Sequence, residues 1–165
     1  MHKEKTQLRE LKILGLSAIT NNQDEMTPDK GKIGPLFNQF FSEQIANKFK
    51  NRTNPGVIYS IYTKYENKEF GSYTYLVGEE VDSFEDQEEE FTTLTIPAHD
   101  YQVFTTEKGT LPHIVINAWQ KIWKMSPEDF EGERSYIADF EVYDQRAFDP
   151  IEPVVDIYIG VHDKD

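Results

Sequence analysis

Ser135-Tyr136-Ile137-Ala138-Asp139-Phe140-Glu141-Val142-Tyr143-Asp144 is the stretch on which the reading of this chain turns. β-Branched and aromatic residues dominate it, and a period of two sorts it into two faces, so it is expected to be a strand. Tyr136, Ala138, Phe140 and Val142 make one wholly apolar face, which should pack on the body of the domain. Ile137, Asp139, Glu141 and Tyr143 make the other, with a carboxylate flanked by apolar and aromatic groups. A carboxylate beside aromatic rings suits an organic cation, because charge and ring quadrupole attract the same guest. The alternative is that Glu141 points to water, as most glutamates do.

Working outward, Leu11–Thr20 reads as a first strand and 21–34, polar and marked by Gly and Pro, as a loop. Residues 33–50 read as an amphipathic helix, with Leu36, Phe37, Phe40, Phe41, Ile45 and Phe49 at three- and four-residue spacing. Residues 57–65 and 72–81 read as two further strands. The stretch 79–90 holds eight acidic residues in twelve, a self-repelling block expected to be a solvated loop. Strand pattern returns over 91–106, with Pro97 marking an edge or a bend. A second helix is expected over 113–125, with Val115, Ala118, Trp119, Ile122 and Met125 inward. After it come a turn at Ser126-Pro127-Glu128-Asp129, the strand with Glu141, and a last strand over 154–162.

The order strand, helix, strand, strand therefore occurs twice. Tyr62-Thr63-Lys64-Tyr65-Glu66 aligns with Phe140-Glu141-Val142-Tyr143-Asp144, putting Thr63 in the place of Glu141 and Tyr65 in the place of Tyr143. Tyr73-Thr74-Tyr75-Leu76-Val77-Gly78 parallels Asp156-Ile157-Tyr158-Ile159-Gly160-Val161. The expected architecture is a single α+β domain over 1–165, built from pseudo-repeats at about 8–82 and 91–163. One antiparallel sheet with two helices would leave a ligand groove where the halves meet. Trp119, Trp123, Tyr65, Tyr75, Tyr143 and Tyr158 are the ring candidates for its walls, and Glu141 for its charge.

Composition removes several functions. Seventeen Lys and Arg against thirty Asp and Glu give a formal charge of −13, which repels phosphate backbones, so direct nucleic-acid binding is not expected. The chain has no cysteine, hence no disulfide or thiol chemistry, which fits a cytoplasmic protein. No long apolar run suggests a membrane span. The four His show no metal-like spacing with carboxylates, no Gly-rich loop matches a nucleotide fingerprint, and no Ser lies in a nucleophile elbow. Neither metal nor cofactor is expected.

Thr95-Ile96-Pro97-Ala98-His99-Asp100-Tyr101-Gln102-Val103-Phe104, Gly109, Ala118-Trp119-Gln120-Lys121-Ile122-Trp123, 139–144 and 155–161 occur in one order across the second half. Together they resemble the GyrI-like effector-binding domains, also found as C-terminal domains of AraC- and MerR-type activators. The resemblance implies two strand-helix-strand-strand halves and a hydrophobic groove whose pocket Glu falls on Glu141. Three positions depart from that pattern: His99 stands where a Gly is usual, Met125 where an aromatic is common, and Gly160 where a Pro is common. The leading expectation is a stand-alone binder of lipophilic or aromatic cations, a sensor working through a protein partner or a sequestering protein in drug response. Two alternatives share its parts: a hydrolase of electrophilic compounds using Glu141 as general base, and an acidic interaction module such as a gyrase inhibitor.

Overall fold

The structure is a computed structural model that describes residues 1–163. Its strands are β1 (His2–Leu8), β2 (Leu11–Thr20), β3 (Ile58–Thr63), β4 (Tyr73–Glu80), β5 (Thr92–Ile96), β6 (His99–Thr105), β7 (Glu133–Arg134), β8 (Ala138–Tyr143) and β9 (Asp156–His162). The helices are α1 (Asn22–Glu25), α2 (Ile33–Ser42), α3 (His113–Trp123) and α4 (Pro127–Phe130). All strands join one antiparallel sheet in the order β1-β6-β9-β8-β3-β4-β2-β5, with β7 added beside β9. Its middle six strands show the same arrangement on either side of a seam. Going outward from the β3–β8 pair, β3-β4-β2 on one side matches β8-β9-β6 on the other.

The two ends of this sheet are tied by one bent ribbon. Leu8 pairs with His99 across β1 and β6, and Leu11 with Ile96 across β2 and β5. The ribbon breaks at Pro97-Ala98, where Pro lacks the N–H a ladder needs. Leu11 and Ile13 from one end therefore share a buried cluster with Ile96, Tyr101, Ala138 and Phe140, so the sheet curls around its own inner face. The outer face is covered by helices. Phe40, Ile45 and Phe49 share one buried cluster with Ile114 and Val115, and Ala118 and Ile122 pack in another against Phe104, Ile157, Ile159 and Val161.

The structure corrects several expectations. The helix over 33–50 stops at Ser42, because Gln44 adopts φ 49°, and a 3₁₀ turn at Ile45–Lys48 re-aims Ile45 and Phe49 into the core. The polar stretch 21–34 contains α1, and Ser126-Pro127-Glu128-Asp129 opens a short helix through a capping box rather than a turn. The strand over 91–106 is two strands. β1, HKEKTQL, shows no strand pattern in sequence because it is polar up to Leu8, and its pairing to β6 is a backbone matter. Tyr136 does not share the apolar face of Phe140; it precedes β8 with φ 53°, and its ring turns toward the helices.

The acidic run is also not one solvated loop. Glu79 and Glu80 belong to β4 and are buried, at 1% and 4% exposure. β4 has neighbours on both sides and cover on both faces, so either side-chain direction leads inward. Arg52 donates to both oxygens of Glu79, at 2.9 and 2.8 Å, and Arg9 pairs with Glu80 at 2.7 Å. Only the part from Asp82 to Glu90 lies in a loop.

Removing Arg52 strands a buried charge, so Arg52→Ala should lower stability by about 2 kcal/mol in urea unfolding, less than a fully enclosed pair because the guanidinium is partly wet. Glu88→Gln, in the loop, should change it by less than about 0.5 kcal/mol.

Candidate functional site

Helices α2 and α3 diverge over the β3–β8 seam and leave a cavity of about 850 Å³ between them. β3 and β8 are in antiparallel register with Ser60 opposite Glu141 and Tyr62 opposite Asp139. Period two then puts Ser60, Tyr62, Glu141 and Tyr143 on the face toward the helices, and β4 adds Tyr73 and Tyr75 beside them. These six form the floor. Phe37 of α2 makes one wall, and Val115, Trp119 and Trp123 of α3 make the other.

Glu141 lies at the bottom, 3% exposed. Its Oε1 accepts a hydrogen bond from the Tyr143 hydroxyl at 2.6 Å. Its Oε2 accepts from the Tyr62 hydroxyl at 2.8 Å and from Trp119 Nε1–H at 2.9 Å. All three donors are neutral, and among the described residues no Lys or Arg forms an ion pair with it. Burial raises the Glu141 carboxyl above the usual carboxylate range, while the bonds from Tyr143, Trp119 and Tyr62 pull it back in part. Burial first, and the carboxylate second, raise the Tyr62 and Tyr143 hydroxyls well above the usual phenol range.

Rings surround this carboxylate. Tyr62 meets Trp119 edge to face at 5.4 Å and lies 5.5 Å from Tyr75, whose hydroxyl shares a 2.6 Å hydrogen bond with Ser60. Phe37 lies 5.2 Å from Tyr143 and Trp123 lies 6.3 Å from Trp119. Trp123 is 57% exposed and stands at the mouth.

Two residues before Glu141, Asp139 is equally buried but fully matched. Arg134 donates to it at 2.8 Å, the Tyr65 hydroxyl at 2.6 Å and the Gly160 backbone N–H at 2.8 Å. A Pro at position 160 could not make the last of these bonds, so the departure at Gly160 matches the needs of Asp139. His99, the departure after Pro97-Ala98, shares a 2.9 Å hydrogen bond with Ser135. Arg134 also stacks over Tyr136, 4.3 Å from its ring centre.

Of the seven residues expected in the groove, six line the cavity: Glu141, Tyr143, Trp119, Trp123, Tyr65 and Tyr75. Tyr158 does not. It lies on the inner face of the curled sheet, stacked on Phe140 at 4.9 Å, because its neighbours Ile157 and Ile159 take the direction facing α3. Met125 lines a neighbouring cavity rather than this one. Sequence reading missed Tyr62, Tyr73, Ser60, Phe37 and Arg134. Alternation within β3 does pair Ser60 with Tyr62 on one face, but only the register across the seam brings that face to Glu141. Among the described residues no cluster of His and carboxylates could hold a metal ion, and no helix is long and apolar enough to cross a membrane.

Comparison with known proteins accords with this geometry. The family profile of Cass2, the integron-associated effector binding protein, matches residues 6–161. The chain belongs to this family. The resemblance to GyrI-like effector-binding domains seen in the sequence holds with it. YobU of Bacillus subtilis (strain 168), named provisionally as a transcriptional regulator, is 30% identical over 151 residues, 89% of each chain. The crystal structure of integron cassette protein VCH_CASS2, from the mobile metagenome of Vibrio cholerae, superposes with a TM-score of 0.77. It is 26% identical, over 97% of this chain and 95% of that one. SAV2435, solved with tetraphenylphosphonium bound, shares the fold with a TM-score of 0.77 at 16% identity, over 98% and 94% of the two chains.

Because the folded state holds the Glu141 proton more tightly than the unfolded chain, unligated stability should fall as pH rises from the usual carboxylate range through its raised pKa. Glu141→Gln should abolish that slope and raise the melting temperature at neutral pH. Its amide oxygen can accept from Trp119 and Tyr62 while its NH₂ donates to the Tyr143 oxygen, which leaves only the Tyr143 hydroxyl hydrogen to turn toward the cavity. Thermal melts across pH, on ligand-free protein, check both.

Proposed function

We propose that this protein binds lipophilic, aromatic organic cations in the groove and passes that occupancy to a transcription regulatory system. The observation that carries the reading is a carboxylate buried without a cation, at the floor of a cavity walled by rings. Burying a charge is costly unless an opposite charge accompanies it, and here the opposite charge is left for the guest to bring. Ring faces add cation–π attraction, worth about 0.5–2 kcal/mol each depending on how dry the site is. A cavity of about 850 Å³ falls within the range of small-molecule sites. That a protein of the same fold was solved with tetraphenylphosphonium, an aromatic cation, is consistent with it, as is the regulatory naming of YobU. Two fused halves account for the groove, since their helices part at the seam; we take the pseudo-repeats at about 8–82 and 91–163 as its origin.

The donors divide the work. Tyr143, Tyr62 and Trp119 keep the Glu141 oxygens pointed and partly solvated, so the charge survives dehydration. Trp119, Tyr75, Tyr65 and Trp123 offer apolar surface of varied orientation, which suits flat or propeller-shaped guests over one fixed shape.

Tetraphenylphosphonium titrated by calorimetry or Trp fluorescence should bind the wild type, and Glu141→Gln should weaken it by more than about tenfold, on the order of 1.4 kcal/mol. A neutral tetraphenyl analogue should bind both forms alike. Equal losses for cation and neutral analogue would remove the charge role. Cation affinity should also drop as pH is lowered through the raised pKa of Glu141, because the protonated acid no longer attracts it, and Glu141→Gln should show no such drop.

A further inference from the structure

Beyond the Glu141 chamber lies a second cavity of about 680 Å³. The two share Met26, Glu69, Trp123, Arg134 and Tyr136 among their walls, so they form one bent trough with a waist at Trp123 and Tyr136. The far half has apolar walls from Ile122, Met125, Pro127 and Phe130, together with Met26 at 81% exposure and Trp123 at 57%. Ile122 and Phe130 are buried behind this wall, and the solvent-facing apolar surface of Met26 and Trp123 in one concavity marks a binding site more than a plain exterior. Thioethers at Met26 and Met125 give a wall that adapts to flexible chains.

Charge in the far half has the same sign as in the Glu141 chamber. Glu25, Glu69 and Glu133 line it, against Lys68 and Arg134. Arg134 is already neutralised by Asp139 at 2.8 Å, with its guanidinium laid over Tyr136, so it offers little field to an anion. Glu25 is partly engaged, accepting hydrogen bonds from Thr20 and from the backbone N–H groups of Lys32 and Ile33 at the start of α2. Glu69 and Glu133 are exposed at the rim. Glu25 and Glu69 border both halves and Glu133 the far half alone, so a guest reaching past Trp123 runs along apolar walls toward Glu133.

The geometry points to an elongated dication as the preferred ligand class, with one cationic head at Glu141 and an apolar spacer passing Trp123. Its second head lies among Glu69 and Glu133. This rests on the cation reading of the Glu141 chamber and extends it to a second subsite.

The test uses the full chain and a homologous series of α,ω-bis(trimethylammonium) alkanes, each paired with the singly charged alkyltrimethylammonium of the same length. Affinity by calorimetry should peak at an intermediate spacer, where the dication exceeds its monocation by about tenfold. Glu69→Gln/Glu133→Gln should erase that advantage; because Glu69 also borders the Glu141 chamber, monocation and tetraphenylphosphonium are titrated against Glu133→Gln alone, which should leave both unchanged. Both residues are exposed, so the fold is not at risk. Glu88→Gln/Glu89→Gln, in the acidic loop, removes the same net charge and should preserve the advantage. Three outcomes overturn the dication subsite: no advantage at any spacer length, an advantage that rises without a peak, or equal losses in the two double variants. If tetraphenylphosphonium still requires Glu141 in those cases, the chamber reading stands and only the extension fails. Loss of Glu141 dependence as well would remove both.

Discussion

The organisation of the site depends on one carboxylate held dry by neutral donors. Glu141 of β8 receives Tyr143 from its own strand, Tyr62 from β3 and Trp119 from α3. A charged partner would have quenched the field. No partner at all would have driven the group to its neutral form. Hydroxyl and indole donors lie between these extremes, orienting the oxygens and lowering the cost of burial without supplying a positive charge. The three donors also come from both halves of the sheet and from a covering helix, so the arrangement exists only when those pieces are assembled.

Asp139 supplies the internal contrast. It lies two residues away on the same strand and the same face, and its burial is as deep. There Arg134, Tyr65 and the Gly160 N–H complete its needs, and it serves as a structural anchor tying β8 to β9 and to the segment before β8. One face of one strand thus carries a carboxylate paired with a cation and one held by neutral donors alone. The difference between the two is whether a guanidinium is at hand.

The rest of the fold keeps the cavity open. If α2 and α3 packed on each other, apolar burial would close the seam. Instead each anchors on its own half: Phe40, with Ile45 and Phe49 from the turn after α2, on one side, and Ala118 and Ile122 on the other. The sheet beneath stays curved because the β1–β2 and β5–β6 ribbon ties its ends together. Phe37, Trp123 and Met26 are left with apolar surface that no other described residues cover fully.

From its residues alone, the chain declared the strand around Glu141, the two faces of that strand and the repeated order of elements. It also declared the family. These are local matters: period two and period 3.6 are written into neighbouring positions, and motif order needs no folding to be seen. What tertiary structure decided was partnership. The register pairing Ser60 with Glu141 brought Tyr62 to the carboxylate, and the crossing of α3 brought the indole of Trp119. Arg52 and Arg9 took Glu79 and Glu80 out of a run that looked solvated, and the alternation of β9 turned Tyr158 to the opposite face. Whether a carboxylate ends up ion-paired in the core, exposed to solvent or buried among neutral donors depends on groups distant in the chain, and local pattern carries no record of those distances.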